Sequence, residues 1–189
     1  MSRHPKNTPP PERWDLLDKN RVPTGKTLRR GEKRPEGAYH IVVLGWVVNE
    51  KGEFLISRRC PQKNNPLLWE TTGGAKQAGE DSLSAVIREL QEEIGVDVRR
   101  NRPVFLSSRE RINGVYFDCW MFFKNVPIES VVLQQEETCD AKWVDDARFA
   151  EMIQAGQVTR ASAEFFPLAK GWRDLLRKKE DFASLSGEK

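Results

Sequence analysis

Three glutamates, Glu89, Glu92 and Glu93, stand at positions i, i+3 and i+4 of the chain. On an α-helix of about 3.6 residues per turn, their carboxylates lie on one face. Like charges at this spacing destabilise an isolated helix, so a bound cation is a simple reason to keep them together. Oxygen ligands suit Mg²⁺, Mn²⁺ or Ca²⁺ rather than zinc. The spacing therefore predicts a site for hard divalent cations, in preference to a merely solvated acidic face.

The surrounding residues predict the helix that carries this acidic face. An apolar stripe runs along it, centred about 120° from the acids at about 100° per residue; its members are Leu83, Val86, Ile87, Leu90 and Ile94. Asp81 or Ser82 can cap the start of the helix, and Gly95 stands where a left-handed residue would end it. One side of the helix can therefore pack on a sheet while the acids face a cleft.

The stretch that contains these residues resembles the Nudix box, Gly-x5-Glu-x7-Arg-Glu-U-x-Glu-Glu-x-Gly-U, in which U is aliphatic. Every fixed position matches, namely Gly74, Glu80, Arg88, Glu89, Leu90, Glu92, Glu93, Gly95 and Val96. Residues 39–143 are also similar to the family's domain, and residues 14–43 more loosely resemble the subgroup related to isopentenyl-diphosphate isomerase. The resemblance implies the Nudix fold, an α/β/α sandwich with a mixed β-sheet.

The resemblance also implies a chemistry for the box. It implies a Mg²⁺-dependent hydrolase, with Mn²⁺ as an alternative metal, that cleaves a diphosphate linkage by attack of an activated water. The substrate would be a nucleoside diphosphate derivative or a related small molecule. The implied metal ligands are Glu89, Glu92, Glu93 and the carbonyl of Gly74, and Glu80 and Arg88 would form a structural charge pair. The general base stays open between Glu92, Glu93 and the acidic loop of Glu136 and Glu137, in which we prefer Glu137.

Four further residues are candidates for binding the substrate. Arg58 and Arg59, at the end of a predicted strand, could clamp phosphates. Trp46 could stack a base, and His40 could contact substrate or metal. Each has a plainer interpretation: solvated arginines, a tryptophan of the core, and a histidine simply hydrogen-bonded in place.

Two other functions compete with hydrolysis. Isopentenyl-diphosphate isomerases use a cysteine in a Cys-Gly-His segment shortly after a tryptophan, but the residues after Trp69 are Glu-Thr-Thr-Gly-Gly. A non-catalytic nucleotide- or RNA-binding sensor would suit the basic first 40 residues, which carry ten Lys and Arg against five Asp and Glu. Intact box acids argue against a pure binder, and a solubilising arm explains the basic segment more simply.

The chain as a whole has the composition of a globular protein. Its 189 residues are 38% hydrophobic and 31% charged, enough for one well-cored domain with tails. We expect a disordered tail over residues 1–11, an N-terminal hairpin extension over 12–37 and the Nudix domain over 38–180. No long apolar run or signal peptide is visible, which favours a cytoplasmic protein with no membrane partner. Nucleic acid is disfavoured as a partner, and a homodimer stays open. Cys60, Cys119 and Cys139 are expected to be reduced, buried thiols.

Hydrophobic patterning predicts the order of the elements. Strands are expected at residues 39–49, 53–58, 68–72, 96–98, 104–108, 115–123 and 141–144. After them, one helix is expected from Asp145 or Asp146 to about residue 154, and a second at 162–178 with a bend near Pro167.

Overall fold

A computed structural model describes residues 12–112 and 114–187 of the chain. It begins with an antiparallel hairpin of β1 (Arg13–Leu17) and β2 (Pro23–Arg29). The predicted tail at 1–11 lies outside the described residues, and the division of the chain into tail, extension and domain stays a prediction.

A mixed sheet forms the centre of the molecule. Within the described residues it has seven strands: β3 (His40–Val48), β4 (Phe54–Arg59), β5 (Trp69–Glu70), β6 (Thr72–Ala75), β7 (Val104–Ile112), β8 (Val115–Phe123) and β9 (Thr138–Val144). The order is β5-β4-β3-β8-β7, with β6 paired to β3 and β9 paired to β4. The pair β3–β8 is parallel and the other pairs are antiparallel.

Helices cover both faces of this sheet. The helix α1 (Ser82–Ile94) lies on one face, and α2 (Asp146–Gln154), α3 (Arg160–Lys179) and the short α4 (Phe182–Ser186) lie on the other. Alternation along β3 explains both layers, because Val43 and Val47 join the core of α1 while Trp46 joins the core of α2 and α3. The predicted α/β/α sandwich is confirmed.

Gly45 of β3 lets α1 approach the sheet closely. A Cβ at this position would lie 2.8 Å from Cγ2 of Val86 and 3.2 Å from Cγ of Leu90. Val86 and Leu90 are both completely buried, so they could not move aside without loosening the core. The close approach fixes the height of the acidic face of α1 above the sheet.

Several predicted boundaries differ from the structure. Residues 96–98 form no strand, because the amide of Val96 instead donates to Leu90 O and closes the end of α1. The strand expected at 68–72 is divided into β5 and β6, α4 was not predicted, and α3 begins at Arg160, two residues before its expected start. Cys60 and Cys119 are free and buried as expected. The prediction is wrong for Cys139, which is exposed where the β4–β9 register shifts.

No helix in the described part of the chain combines the length and apolar character required to cross a bilayer.

Candidate active site

The helix α1 begins and ends where its caps predict. The carboxylate of Asp81 accepts a hydrogen bond from Ser84 N at 2.6 Å, and Gly95 ends the helix with φ of 69°. The box acids follow the predicted face, but their exposure differs. The Glu89 side chain is 12% exposed and Glu93 is buried, whereas Glu92 is 48% exposed. On the acidic face, the Glu89 and Glu93 side chains are therefore largely buried, and the Glu92 side chain is exposed to solvent.

These acids line a cavity of about 480 Å³, which we call the acid-lined cavity. The strands β4 and β6, the helix α1, the hairpin and two loops contribute to its wall. The lining residues are Glu12, Trp14, Arg30, Gly31, Arg59, Lys63, Asn64, Gly73, Gly74, Ala75, Glu89, Glu92, Glu93, Gln134 and Glu137.

Glu93 is the most unusual group in the acid-lined cavity. Its Oε2 is buried and has no hydrogen-bond partner among the described residues. Burial raises the pKa of Glu93 well above its ordinary value, and the neighbouring Glu70, Glu89 and Glu137 raise it further. A buried oxygen without a donor costs free energy unless a proton or a cation satisfies it.

Arg88 connects the acids of the box to one another. Its Nε and Nη2 donate to the two carboxylate oxygens of Glu80 at 2.7 and 3.0 Å. Its Nη1 donates to Glu89 at 2.8 Å and to Glu92 at 3.0 Å. Glu80 in turn accepts from Gln77 N at 2.9 Å. The structure thus brings the expected pair together, and the pair ties the loop before α1 to the helix.

Gly74 brings the backbone of β6 against the box. A Cβ at this position would lie 2.4 Å from Cδ of Glu89, so any larger residue would displace that carboxylate. Gly74 also pairs with Val43 in the sheet, which keeps its backbone from retreating. Glycine at this position therefore leaves room for the Glu89 carboxylate in its present place, and its φ is not unusual.

The donor set fits a hard cation, although the ligands are not yet gathered around one point. Among the described residues, no group of three His, Cys, Asp or Glu side chains has the geometry of a metal site. Arg88 holds Glu89 and Glu92 instead. The buried unpartnered oxygen of Glu93 and the adjacent carbonyl-bearing strand at Gly74 nevertheless provide the oxygen chemistry that Mg²⁺ prefers.

The acidic loop places Glu137, and not Glu136, at the cavity. Gln134 N donates to Glu93 O at 3.0 Å and fixes the loop to the end of α1. Glu137 lines the cavity and forms an ion pair with Lys63. Glu136 is exposed and offers only its carbonyl, which accepts from Gln62 Nε2 at 2.9 Å.

The two strand-end arginines face opposite ways, as neighbours on a strand must. Arg59 lines the cavity, and its Nη1 donates to Glu70 at 2.6 Å. Arg58 lies away from it, over the ring of Trp69 at 5.8 Å from the ring centre. Of these two arginines, only Arg59 therefore stays a candidate for binding phosphate.

The structure does not bring Trp46 or His40 into the cavity wall. Trp46 is 0% exposed and packs edge-on against Phe54 and Phe149, so stacking on a substrate base is excluded for it. His40 stacks on Trp14 with ring centres 5.1 Å apart, and its buried Nδ1 lacks a hydrogen-bond partner. Burial, aided by the charge of Arg34, lowers the pKa of His40 to about 4. His40 thus supports Trp14, which does line the cavity.

Sequence reasoning missed Lys63, Glu70 and the hairpin residues of the site. Glu70 had a usable signal, because it follows the buried Trp69 on a strand and so faces the other way. Lys63 lies in an irregular loop, where no periodicity indicates direction. Trp14 and Arg30 reach the cavity only through the docking of the hairpin, which no local pattern reveals.

Comparisons with known proteins agree with this geometry. The family model described as NUDIX domain matches residues 38–168. An uncharacterised Nudix hydrolase of Listeria monocytogenes is 38% identical over 160 residues, covering 82% of this chain and 89% of that protein. An isopentenyl-diphosphate Delta-isomerase of Escherichia coli is 29% identical over 147 residues, covering 74% and 80% respectively.

A structural likeness is also found at lower sequence identity. A crystal structure from Deinococcus radiodurans superposes with a TM-score of 0.67 at 21% identity, covering 78% of this chain and 92% of the other. That likeness concerns the fold. Since the family model spans more than half of the chain and the complete box folds around the acid-lined cavity, this protein belongs to the Nudix hydrolase family of pyrophosphohydrolases.

Proposed function

We propose that this enzyme hydrolyses a diphosphate linkage in a nucleoside diphosphate derivative or a related small molecule, with Mg²⁺ or alternatively Mn²⁺. The observation that carries the proposal is the buried, partnerless Oε2 of Glu93 at the wall of the acid-lined cavity. Basic groups face it, since Arg59 and Lys63 line the same cavity. An acidic side for cations and a basic side for phosphates is the arrangement that a metal–diphosphate substrate requires.

Glu89, Glu92, Glu93 and the carbonyl of Gly74 are the groups that would hold the cation. When bound, the cation would neutralise the diphosphate and polarise the attacking water. Arg88 would release Glu89 and Glu92 for this purpose while keeping its two hydrogen bonds to Glu80. Glu80 and Arg88 therefore serve as positioning residues.

The remaining groups of the cavity bind phosphate and move a proton. Arg59 and Lys63 are positioned to hold phosphate oxygens, which would replace part of their present pairing with Glu70 and Glu137. Glu93 and Glu137 are the buried or half-buried acids from which the proton acceptor for the water is drawn. Burial raises the pKa of Glu93 well above its ordinary value and so makes its carboxylate a stronger base. Glu137 is a candidate because it lines the same cavity.

Replacing Glu93 tests the proposal. Glu93→Gln keeps the shape of the side chain but removes a metal ligand or base, so the rate of diphosphate cleavage should fall by about 10²-fold or more. The measurement is chromatographic separation of the substrate from its phosphorylated products, for nucleotide sugars, dinucleotides, nucleoside triphosphates and isoprenoid diphosphates, with and without Mg²⁺. Glu151→Gln on the exposed side of α2 is the matched control, since the side chain forms a surface ion pair with Arg148. Undiminished turnover in Glu93→Gln would remove the residue from the mechanism.

Isomerisation of isopentenyl diphosphate is the competing activity, because an isomerase is among the relatives. That reaction would need a thiol at the cavity in the family's manner. No cysteine is among the residues that line the acid-lined cavity in the described part of the chain. Incubation with isopentenyl diphosphate should therefore give no isomer, and detection of the isomer by chromatography would reverse the ranking.

A further inference from the structure

A second cavity, of about 280 Å³, adjoins the acid-lined cavity through Arg59 and Gly73, which line both. We call it the arginine-lined cavity, because Arg59, Arg111 and Arg160 contribute to its wall. It lies between the sheet and the beginning of α3. Its other lining residues are Val42, Leu44, Asn65, Glu70, Thr71, Gly73, Phe117, Thr159, Ala161 and Ser162.

The charges around this cavity do not cancel. Glu70 is the one acid among its described lining residues, and it is paired with Arg59 at 2.6 Å. Glu164 accepts from Arg111 Nε at 2.7 Å from the exposed side of α3. Arg160 has no carboxylate partner among the described residues. Three arginines around the cavity therefore meet two acids, and the guanidinium of the exposed Arg160 is left uncompensated by any described acid.

In the described part of the chain, Arg111 has a buried N–H group that lacks a hydrogen-bond acceptor. Its side chain is 11% exposed and its guanidinium lies over the ring of Phe117, 5.5 Å from the ring centre. Its Nη2 is buried and has no acceptor among the described residues. A guanidinium N–H without an acceptor is costly in a buried site, and phosphate oxygens match its planar fork.

The beginning of α3 adds a second source of positive potential. The first amides of an α-helix have no partner within the helix, and its dipole favours an anion there. The first turn of α3 contains no acidic residue, and Thr159, Arg160 and Ala161 line the cavity. The hydroxyl of Ser162 is already occupied, since it accepts from Thr71 N at 3.0 Å. Thr159 Oγ1 caps the amide of Ser162, so the amides of Arg160 and Ala161 remain beside the guanidinium groups as donors that favour an anion.

We propose that the arginine-lined cavity binds a phosphomonoester carried by the organic part of the substrate. The inference rests on the proposed diphosphate hydrolysis and narrows its substrate class to nucleoside diphosphate derivatives with an additional phosphate on the ribose. The diphosphate of the substrate lies in the acid-lined cavity. Its nucleoside part passes Arg59 and Gly73, so that the additional phosphate reaches Arg111, Arg160 and the start of α3.

Binding of matched ligands that cannot be hydrolysed at a diphosphate tests the inference independently of turnover. Calorimetry compares adenosine 2′,5′-bisphosphate and adenosine 3′,5′-bisphosphate with AMP on the wild-type protein. At least one bisphosphate should bind about tenfold or more tightly than AMP, as expected for a charge-assisted pair. Arg111→Met and Arg160→Met should each reduce that ratio toward one, and Arg111→Lys should restore only part of it, because a point charge replaces the fork.

Controls separate this inference from the proposed function and from unfolding. Arg148→Met, an exposed arginine on α2, should keep the wild-type ratio, and a thermal melt of each variant shows whether it is folded. Equal affinity of the wild-type protein for AMP and both bisphosphates overturns the inference. It is also overturned if the Arg111→Met and Arg160→Met variants are both folded and both keep the wild-type ratio of bisphosphate affinity to AMP affinity. A retained preference without any diphosphate hydrolysis overturns the proposed function and leaves the phosphate site standing.

Discussion

His40 is an imidazole that the fold keeps neutral. Burial, with Arg34 nearby, lowers its pKa from an ordinary 6.5 to about 4. Between pH 6.5 and pH 4, His40 takes up a proton in the unfolded chain but not in the folded one. The contribution of His40 to the free energy of unfolding therefore has its full value above pH 6.5 and decreases as the pH falls toward 4. At pH 5.5 the loss should be about 1 kcal/mol, allowing for partial exposure.

Thermal melts at pH 7.5 and 5.5 measure this effect. The wild-type Tm should drop by about 2–4 °C more than that of His40→Gln over this interval, in line with the size of the chain. His4→Gln removes the chain's other histidine and is the matched control. The same pH slope in wild type and His40→Gln would mean that the imidazole is charged in the folded protein or titrates normally.

For some residues of the site the sequence predicts the direction of the side chain, and for others it does not. The spacing of Glu89 and Glu93 places them on one helix face, because helix geometry is local. Direction is also local on a strand, so the opposite directions of Arg58 and Arg59 follow from alternation. Whether Trp46 meets a substrate or the core depends instead on which side α2 and α3 cover, and that is decided by tertiary packing.

At the scale of elements, an ion pair between a half-buried arginine and a buried aspartate fastens the hairpin to the sheet. Arg21, in the turn between β1 and β2, donates from Nη1 and Nη2 to the two oxygens of Asp118 at 2.7 and 2.8 Å. Asp118 on β8 is 1% exposed. Arg21→Met would leave that carboxylate buried without its counter-charge, which should cost about 2–4 kcal/mol of unfolding free energy.

A double-mutant cycle checks the coupling across this junction. Urea unfolding of Arg21→Met, Asp118→Asn and the double variant should give a double variant less destabilised than the sum of the singles. Arg30→Met is the control on the same hairpin, because its pair with Glu12 is exposed and should contribute less than about 1 kcal/mol. Additive losses would mean that the hairpin is held by packing alone.

Elements with strong local signals could be predicted, and those that depend on distant partners could not. The caps at Asp81 and Gly95 bound α1 correctly because each acts within one helical turn. Val96 and Val98 have the composition of a strand, yet they bury their side chains beside α1 without entering the sheet. A pattern of apolar residues indicates burial, and only the available neighbours decide between a strand and a covering segment.

The whole molecule joins a basic hairpin to an otherwise slightly acidic chain. Besides the Arg21–Asp118 pair, the hairpin is attached where Leu17 pairs with Tyr39 next to β3, where Arg13 O accepts from Ala78 N at 2.7 Å, and where Asp15 binds Lys76 at 2.8 Å. The last two contacts fix the loop that leads into α1, and so the height of the box. The family model begins at residue 38, after the hairpin. The hairpin thus supplies part of the wall of the acid-lined cavity from outside the matched region.

Removal of residues 1–37 tests whether the hairpin is structural, and removal of residues 1–11 is the matched control. The longer deletion takes away Leu16, Leu17 and Leu28, each at most 6% exposed, and should cost several kcal/mol at about 1.5–3 kcal/mol per buried leucine. It should lower Tm by more than about 5 °C.

Trp14→Ala keeps the hairpin but opens the cavity wall, so it should raise KM for the diphosphate substrate by more than it lowers kcat, because positioning is lost while the box acids remain. If the longer deletion matches the shorter in Tm and Trp14→Ala keeps the wild-type KM, the hairpin is an appendage and the cavity wall must be rebuilt from the sheet alone.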